Sequence, residues 1–120
     1  MHFAYIASPY THPKPYIRLR RYRAVMRCIH WSLRNLDTIA FSPILYTHEL
    51  GTRYSLPPDA DFWLRFNETV LTRCDEIYVL MIPGWQESRG VQMEIQWATE
   101  RNRPILGLLP HGRTYLISSL

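Results

Sequence analysis

Apolar and polar positions change period several times along the chain, and each change marks an element. Phe3 to Ala7 is a continuous apolar run, the pattern of a strand buried on both faces, ended by Ser8-Pro9-Tyr10 and the turn-forming segment THPKP. From Tyr16 or Ile17 the period lengthens: Tyr22, Val25, Met26, Ile29, Leu33 and Leu36 recur three and four apart and predict one helix with its arginines facing mostly outward. Thr38 to Phe41 reads as a second short strand, closed by Ser42-Pro43. The following ILYTHELGTRYSLPPD keeps no clear period and reads as a long irregular loop, a kind of segment that often carries function in a small domain. Pro57-Pro58-Asp59 signals a helix start, with Phe62, Phe66, Val70 and Cys74 as the inward stripe and Trp63 and Leu71 beside it. Glu76 to Ile82 is the clearest central strand. After PGWQESRG a helix starts at Ser88 or Gly90 and turns Val91, Ile95 and Ala98 inward until Arg103-Pro104 ends it. Ile105 to Leu109 is a further strand, Pro110 to Gly112 a turn, and Tyr115 to Ile117 a terminal strand.

Strands and helices therefore alternate, and the strands are apolar almost throughout. This predicts an α/β fold: a Rossmann-like (flavodoxin-like) three-layer sandwich with a mainly parallel sheet of four to five strands, residues 1–120 forming a single domain. Right-handed crossovers would bring the loops after the first and third strands together at the carboxyl edge of the sheet, where such folds bind ligands.

Composition narrows the class. With 47% hydrophobic and 20% charged residues the chain is expected to fold around a core and to be neither disordered nor fibrous. Cys28 and Cys74 both lie in apolar runs, which suggests buried thiols and a reducing, cytoplasmic setting. The N-terminus lacks the features of a signal peptide, and no apolar run is long enough to suggest a membrane partner. The net charge of +4 conceals an asymmetry: seven basic residues, Lys14 to Arg34, precede the first acidic one, Asp37. All but one of the fourteen basic residues are arginine, whose planar fork suits phosphate or carboxylate.

Chemistry at the expected edge is specific in kind. The first loop offers Ser8, Pro9 and Tyr10, with Tyr5 in the strand; the second offers Gly84, Trp85, Ser88 and Gly90, with Glu94 one turn into the helix. A glycine at a helix start leaves N–H groups open to an anion, and the same field is expected to keep Glu94 ionised. An ionised carboxylate fixed in a concave site can attack an anomeric carbon as positive charge develops there. Ordinary roles stand beside these: Glu94 as a dipole-complementing residue, Trp85 as a stacking platform or as cover for the core, Tyr5 as packing, Tyr10 as part of a rigid turn. His48, in the long loop, suits either phosphate binding or proton donation. The chain has neither a dinucleotide nor a P-loop glycine motif, no nucleophile elbow and no close histidine spacing for a metal, so neither cofactor nor metal is expected. Nucleic-acid binding through Arg18 to Arg27 is the main rival, disfavoured because the arginines interleave with an apolar stripe; a noncatalytic nucleotide sensor is a third reading.

At YIASPY and PGWQESRGVQMEIQWA the chain resembles the nucleoside 2-deoxyribosyltransferase-like superfamily, and within it a small branch common in bacteria and phages. The matching positions are Tyr5 to Tyr10, Arg23, Phe41 to Ile44, Trp63, and Gly84, Trp85, Ser88, Gly90 and Glu94. The resemblance implies a homodimer or larger oligomer that cleaves or exchanges the N-glycosidic bond of a nucleoside or its monophosphate without a cofactor. It gives Glu94 the role of nucleophile, Tyr5 that of steadying it, and Ser88 that of contacting a 5′-phosphate, with Arg23 and Arg18 the preferred cationic partners. Asn67 falls where the family carries an aspartate that orients sugar and base, which leaves Asp61 or Asp75 as conceivable substitutes.

Overall fold

Four parallel strands and one antiparallel strand form the centre of the molecule, in the order Thr38–Phe41, His2–Ala7, Glu76–Leu80, Ile105–His111 and, antiparallel at the edge, Thr114–Ser119. The structure is a computed structural model that describes every residue except Pro58, together with all side chains apart from those of Pro58 and Ala60. In chain order the elements are β1 (His2–Ala7), α1 (Pro15–Asn35), β2 (Thr38–Phe41), α2 (Pro43–Arg53), α3 (Ala60–Leu71), β3 (Glu76–Leu80), α4 (Arg89–Glu100), β4 (Ile105–His111) and β5 (Thr114–Ser119). The result is an α/β fold with a mixed, mostly parallel sheet between helices, in a generic Rossmann-like arrangement.

Alternation along the strands divides the core in two. Ala4 and Ile6 of β1 point to one face, where they join Val25, Cys28 and Ile29 of α1, with Ile44 and Leu45 of α2 packed against them. Tyr5 and Ala7 point to the other, with Ile77 and Val79 of β3, Val91 and Ala98 of α4, and Leu71 at the end of α3. Because successive strand residues face opposite ways, β1 from Phe3 on and β3 from Ile77 on are apolar at every position and serve both layers.

The segment expected to be an irregular loop contains α2. Ser42-Pro43, read as the end of β2, is also a helix start: the Ser42 hydroxyl accepts from the Ile44 N–H at 3.1 Å, and Pro43 occupies the first turn, where its missing N–H costs nothing. Gly51 and Thr52, poor helix formers near the other end, obscured the period. Met26 and Leu33, assigned to the inward stripe of α1, are 39% and 54% exposed. Cys74 lies beyond α3 but is buried all the same; of the helix-start signal Pro57-Pro58-Asp59, Asp59 is the N-cap, accepting from the Asp61 N–H at 2.9 Å, and Pro58 lies outside the described residues.

β4 runs further than expected, through Pro110 to His111. Among the described residues its partner beyond Leu108 is β5 alone, so the missing N–H of Pro110 interrupts no central ladder. Gly112, at φ 61°, makes the reversal into β5. No helix among the described residues is long and apolar enough to cross a membrane.

Candidate functional site

β1 leads through α1 to β2 on one side, and β3 leads through α4 to β4 on the other. Loops leaving the carboxyl ends of β1 and β3 therefore diverge and leave a crevice between them. A cleft of about 1340 Å³ opens there, walled by the first loop, the start of α1, α2, α3 and the start of α4. Of the residues singled out from the sequence, Tyr5, Ser8, Tyr10, Arg18, His48, Asn67, Gly84, Ser88, Gly90 and Glu94 all line it.

Glu94 lies against Tyr5, whose ring is buried in the second core. Burial raises the Glu94 pKa from an ordinary 4.5 to about 8, while hydrogen bonding from the Tyr5 hydroxyl pulls it back down in part. The helix field was expected to keep this carboxylate ionised, and burial outweighs it. The reason is position: α4 starts at Arg89, so Glu94 lies past the first turn, where the field has faded. Tyr5 is held neutral, by desolvation first and then by the negative charge of Glu94, and so acts as a donor.

Cations gather where α1 begins. Arg18 donates from Nη1 to the His12 carbonyl, and Arg21 donates from Nη1 to the Thr11 carbonyl at 3.0 Å. These bonds tie the first loop to α1 and leave most of each guanidinium's donors unused. Among the described residues no carboxylate forms a salt bridge with either. His12, between them, has a lowered pKa, from desolvation first and then from the charges of Arg21, Lys14 and Arg18. Arg18 and Arg21 are three apart and share one face of α1. Arg23, two residues further on, points away from that face and is exposed outside the cleft. Arg21 therefore stands where Arg23 was expected; helical spacing from Arg18 was the available signal. Gly84 makes room for it: at φ 97° a Cβ would lie 2.5 Å from Arg21 Nη2.

Ser88 is first of all the N-cap of α4, its hydroxyl oxygen accepting from the Val91 N–H at 3.2 Å. Its own O–H stays available to a ligand. Ser88→Ala is expected to cost about 1 kcal/mol of stability through loss of the cap. Ser88→Asp, which keeps a capping oxygen, should preserve the melting temperature and weaken binding of a monophosphate but not of the matching nucleoside; calorimetric titration with both checks this. Gly90 leaves the first turn of α4 open, since a Cβ there would meet only Ser88 Oγ, at 3.9 Å.

Ser8 is buried, and its Oγ has no hydrogen-bond partner among the described residues. Pro9 is buried beside Gly84, outside the lining, and Trp85 packs against the second core, so the covering alternative describes it and the stacking platform does not. Neither proposed substitute for Asn67 reaches the cleft. Asp75 accepts from the Phe3 N–H at 2.8 Å near the amino end of β1, and Asp61 is exposed at the start of α3. Glu68, beside Asn67, does line the cleft and was missed, because an exposed helical glutamate carries no distinguishing pattern.

His48 comes from α2. Its Nδ1 lies 2.5 Å from the Tyr10 hydroxyl, and its ring stacks on Tyr22 with centroids 4.1 Å apart and planes at 20°. Among the described residues no group of three or more His, Cys, Asp or Glu side chains is placed to hold a metal ion.

Residues 2–108 match the model of a family described as a domain of unknown function, DUF1937. Comparison with curated proteins finds no match.

Proposed function

The chain belongs to the DUF1937 family, and we propose that its cleft binds a (deoxy)nucleoside 5′-monophosphate and breaks the N-glycosidic bond, as an N-glycosidase or deoxyribosyltransferase with Glu94 as nucleophile. One observation carries the reading: a single cleft holds a tyrosine-backed glutamate together with two arginines that form no salt bridge among the described residues, at an open helix start. The strand order 2-1-3-4-5 supports a flavodoxin-like fold, whose ligands sit at the crevice between β1 and β3. The likeness to the nucleoside 2-deoxyribosyltransferase-like superfamily supports the same chemistry, and no cofactor is needed for it.

Arg18, Arg21, the Ser88 O–H and the first N–H groups of α4 hold the phosphate. A Glu94 carboxylate oxygen attacks C1′ and forms a C–O bond as the C1′–N bond breaks, its electron pair leaving with the base. Water then displaces Glu94 and gives the free sugar phosphate, or a second base displaces it and gives a new nucleotide. Tyr5 donates to the carboxylate and orients it. A second subunit fits this reading, since Leu64 and Met93 line the cleft yet stay 43% and 52% exposed.

Incubation with a panel of deoxynucleoside monophosphates, followed by chromatography of the free base, tests the proposal. Release from at least one member, abolished in Glu94→Gln, is the expected result; no release from any member removes the glycosidase reading. A second reading, nucleotide binding without turnover, draws support from a Glu94 that is mostly protonated at neutral pH. It expects saturable binding of monophosphates, equal in wild type and Glu94→Gln, with no base released.

A further inference from the structure

The cleft holds a second ionisable device, on the wall across from Glu94. α2 packs with α1 on one face of the sheet, whereas Glu94 on α4 belongs to the other, and the cleft spans the carboxyl edge of β1 between them. His48 of α2 is fixed in two directions: Tyr10 holds its Nδ1 edge and Tyr22 covers one ring face. A surface histidine keeps its rotamers, and this one has given them up. Such ordering is costly unless a defined ring position is useful or packing repays it.

The Tyr10 contact also bears on the tautomer. Among the described residues the Tyr10 hydroxyl meets no acceptor besides Nδ1, and a bond in which it donates there sets the ring's hydrogen. Its pKa is raised, by desolvation and against the opposing charge of Arg18, which keeps it a phenol and therefore a donor. With Nδ1 accepting, the neutral ring carries its hydrogen on Nε2. His48 thus offers an N–H at its far edge, from a residue that lines the same cleft as the nucleophile candidate.

We propose that His48 is the proton donor to the departing base, and that Tyr10 is the positioning residue that fixes its Nε2–H tautomer. The inference rests on the glycosidase reading and adds a residue and a step to it. As the C1′–N bond breaks, its electron pair stays on the base nitrogens; the Nε2 proton passes to that base, which leaves neutral. The Tyr10 O–H proton passes to Nδ1 as Nε2 loses its own, leaving Tyr10 as the phenolate, and the water that displaces Glu94 gives a proton to Nε2 as Nδ1 returns one to Tyr10. A donor on one side of the scissile bond and a carboxylate on the other is the arrangement that glycosyl cleavage through a covalent intermediate requires.

A leaving group that needs no proton separates this role from a structural one. Release of base from a purine deoxynucleoside monophosphate is compared with release from its 7-methylated counterpart, whose base departs already neutral. His48→Gln is expected to lose about 100-fold or more on the first, in the range general acids supply, and under about fivefold on the second. Tyr10→Phe should follow the same split more weakly and flatten the limb of the pH–rate profile that belongs to the acid. Glu94→Gln should abolish both reactions. Imidazole nitrogen NMR on the free wild-type protein should show His48 with Nδ1 unprotonated and Nε2 protonated, a preference lost in Tyr10→Phe. Equal losses on the two substrates in His48→Gln, no loss on either, or a His48 protonated at Nδ1 alone would overturn the assignment while the role of Glu94 stands. Failure of wild type to release either base, or full release by Glu94→Gln, removes the parent reading and the donor role with it, whatever the NMR shows.

Discussion

Glu94→Gln is expected to lower base release by at least about 10³-fold and, at the same time, to stabilise the protein at alkaline pH. The first effect follows from removing the nucleophile itself, since glutamine has no carboxylate oxygen with which to attack C1′. The second follows from burial. Because the folded-state pKa is raised from 4.5 to about 8, the native protein holds this proton more tightly than the unfolded chain does. The contribution to stability is therefore whole below pH 4.5, declines as pH rises towards 8, and stays lost above it. Glutamine carries no such penalty. Thermal melts of wild type and variant should nearly coincide near pH 4, diverge up to about pH 8 and hold a constant difference above it, the variant the more stable. Wild-type kcat/KM should rise over the same interval, since only the ionised carboxylate attacks. A melting difference that is constant with pH would mean that Glu94 is solvated, and the site assignment would fail.

Arg21→Gln is expected to weaken binding of a nucleoside monophosphate by about 10- to 100-fold, the loss of one or two charge-assisted hydrogen bonds, and to leave the matching nucleoside almost untouched. Arg18→Gln should act in the same direction. Arg23→Gln, on the exposed face of α1, should change neither affinity nor melting temperature, and so serves as the charge-matched control. Binding should also raise the pKa of His12, because the anion offsets the charges of Arg21, Lys14 and Arg18 that depress it. Equal losses in Arg21→Gln and Arg23→Gln would show that net positive charge, rather than a built site, attracts the ligand.

Most of the sheet was legible because parallel strands buried on both faces are apolar along their buried length, as β1 is from Phe3 to Ala7 and β3 from Ile77 to Leu80. The place of the cleft followed from connectivity alone, before any residue was given a role. Other features stayed hidden, each for a physical reason. α2 was missed because its signals are local, a serine cap and a first-turn proline, while its apolar period is too weak to register. Arg23 was preferred to Arg21 because a run of arginines has no intrinsic direction; only the phase set by the buried Tyr22, Val25 and Ile29 decides which of them turns into the cleft. The protonation of Glu94 was misjudged because sequence shows the distance to a helix start but not the burial beside Tyr5, and at this site burial is the larger effect. The Tyr10–His48 contact joins residues 38 apart through two separate elements, which no spacing rule could have paired.

Intact-mass analysis of the protein after reaction with a 2′-fluorinated nucleoside monophosphate, which slows breakdown of a glycosyl-enzyme, tests the central claim most directly. The expected result is one added sugar phosphate per chain, with free base released in equal amount and the adduct mapped to Glu94 in the peptide spanning α4. Base released without any adduct, or an adduct on another residue, would contradict it.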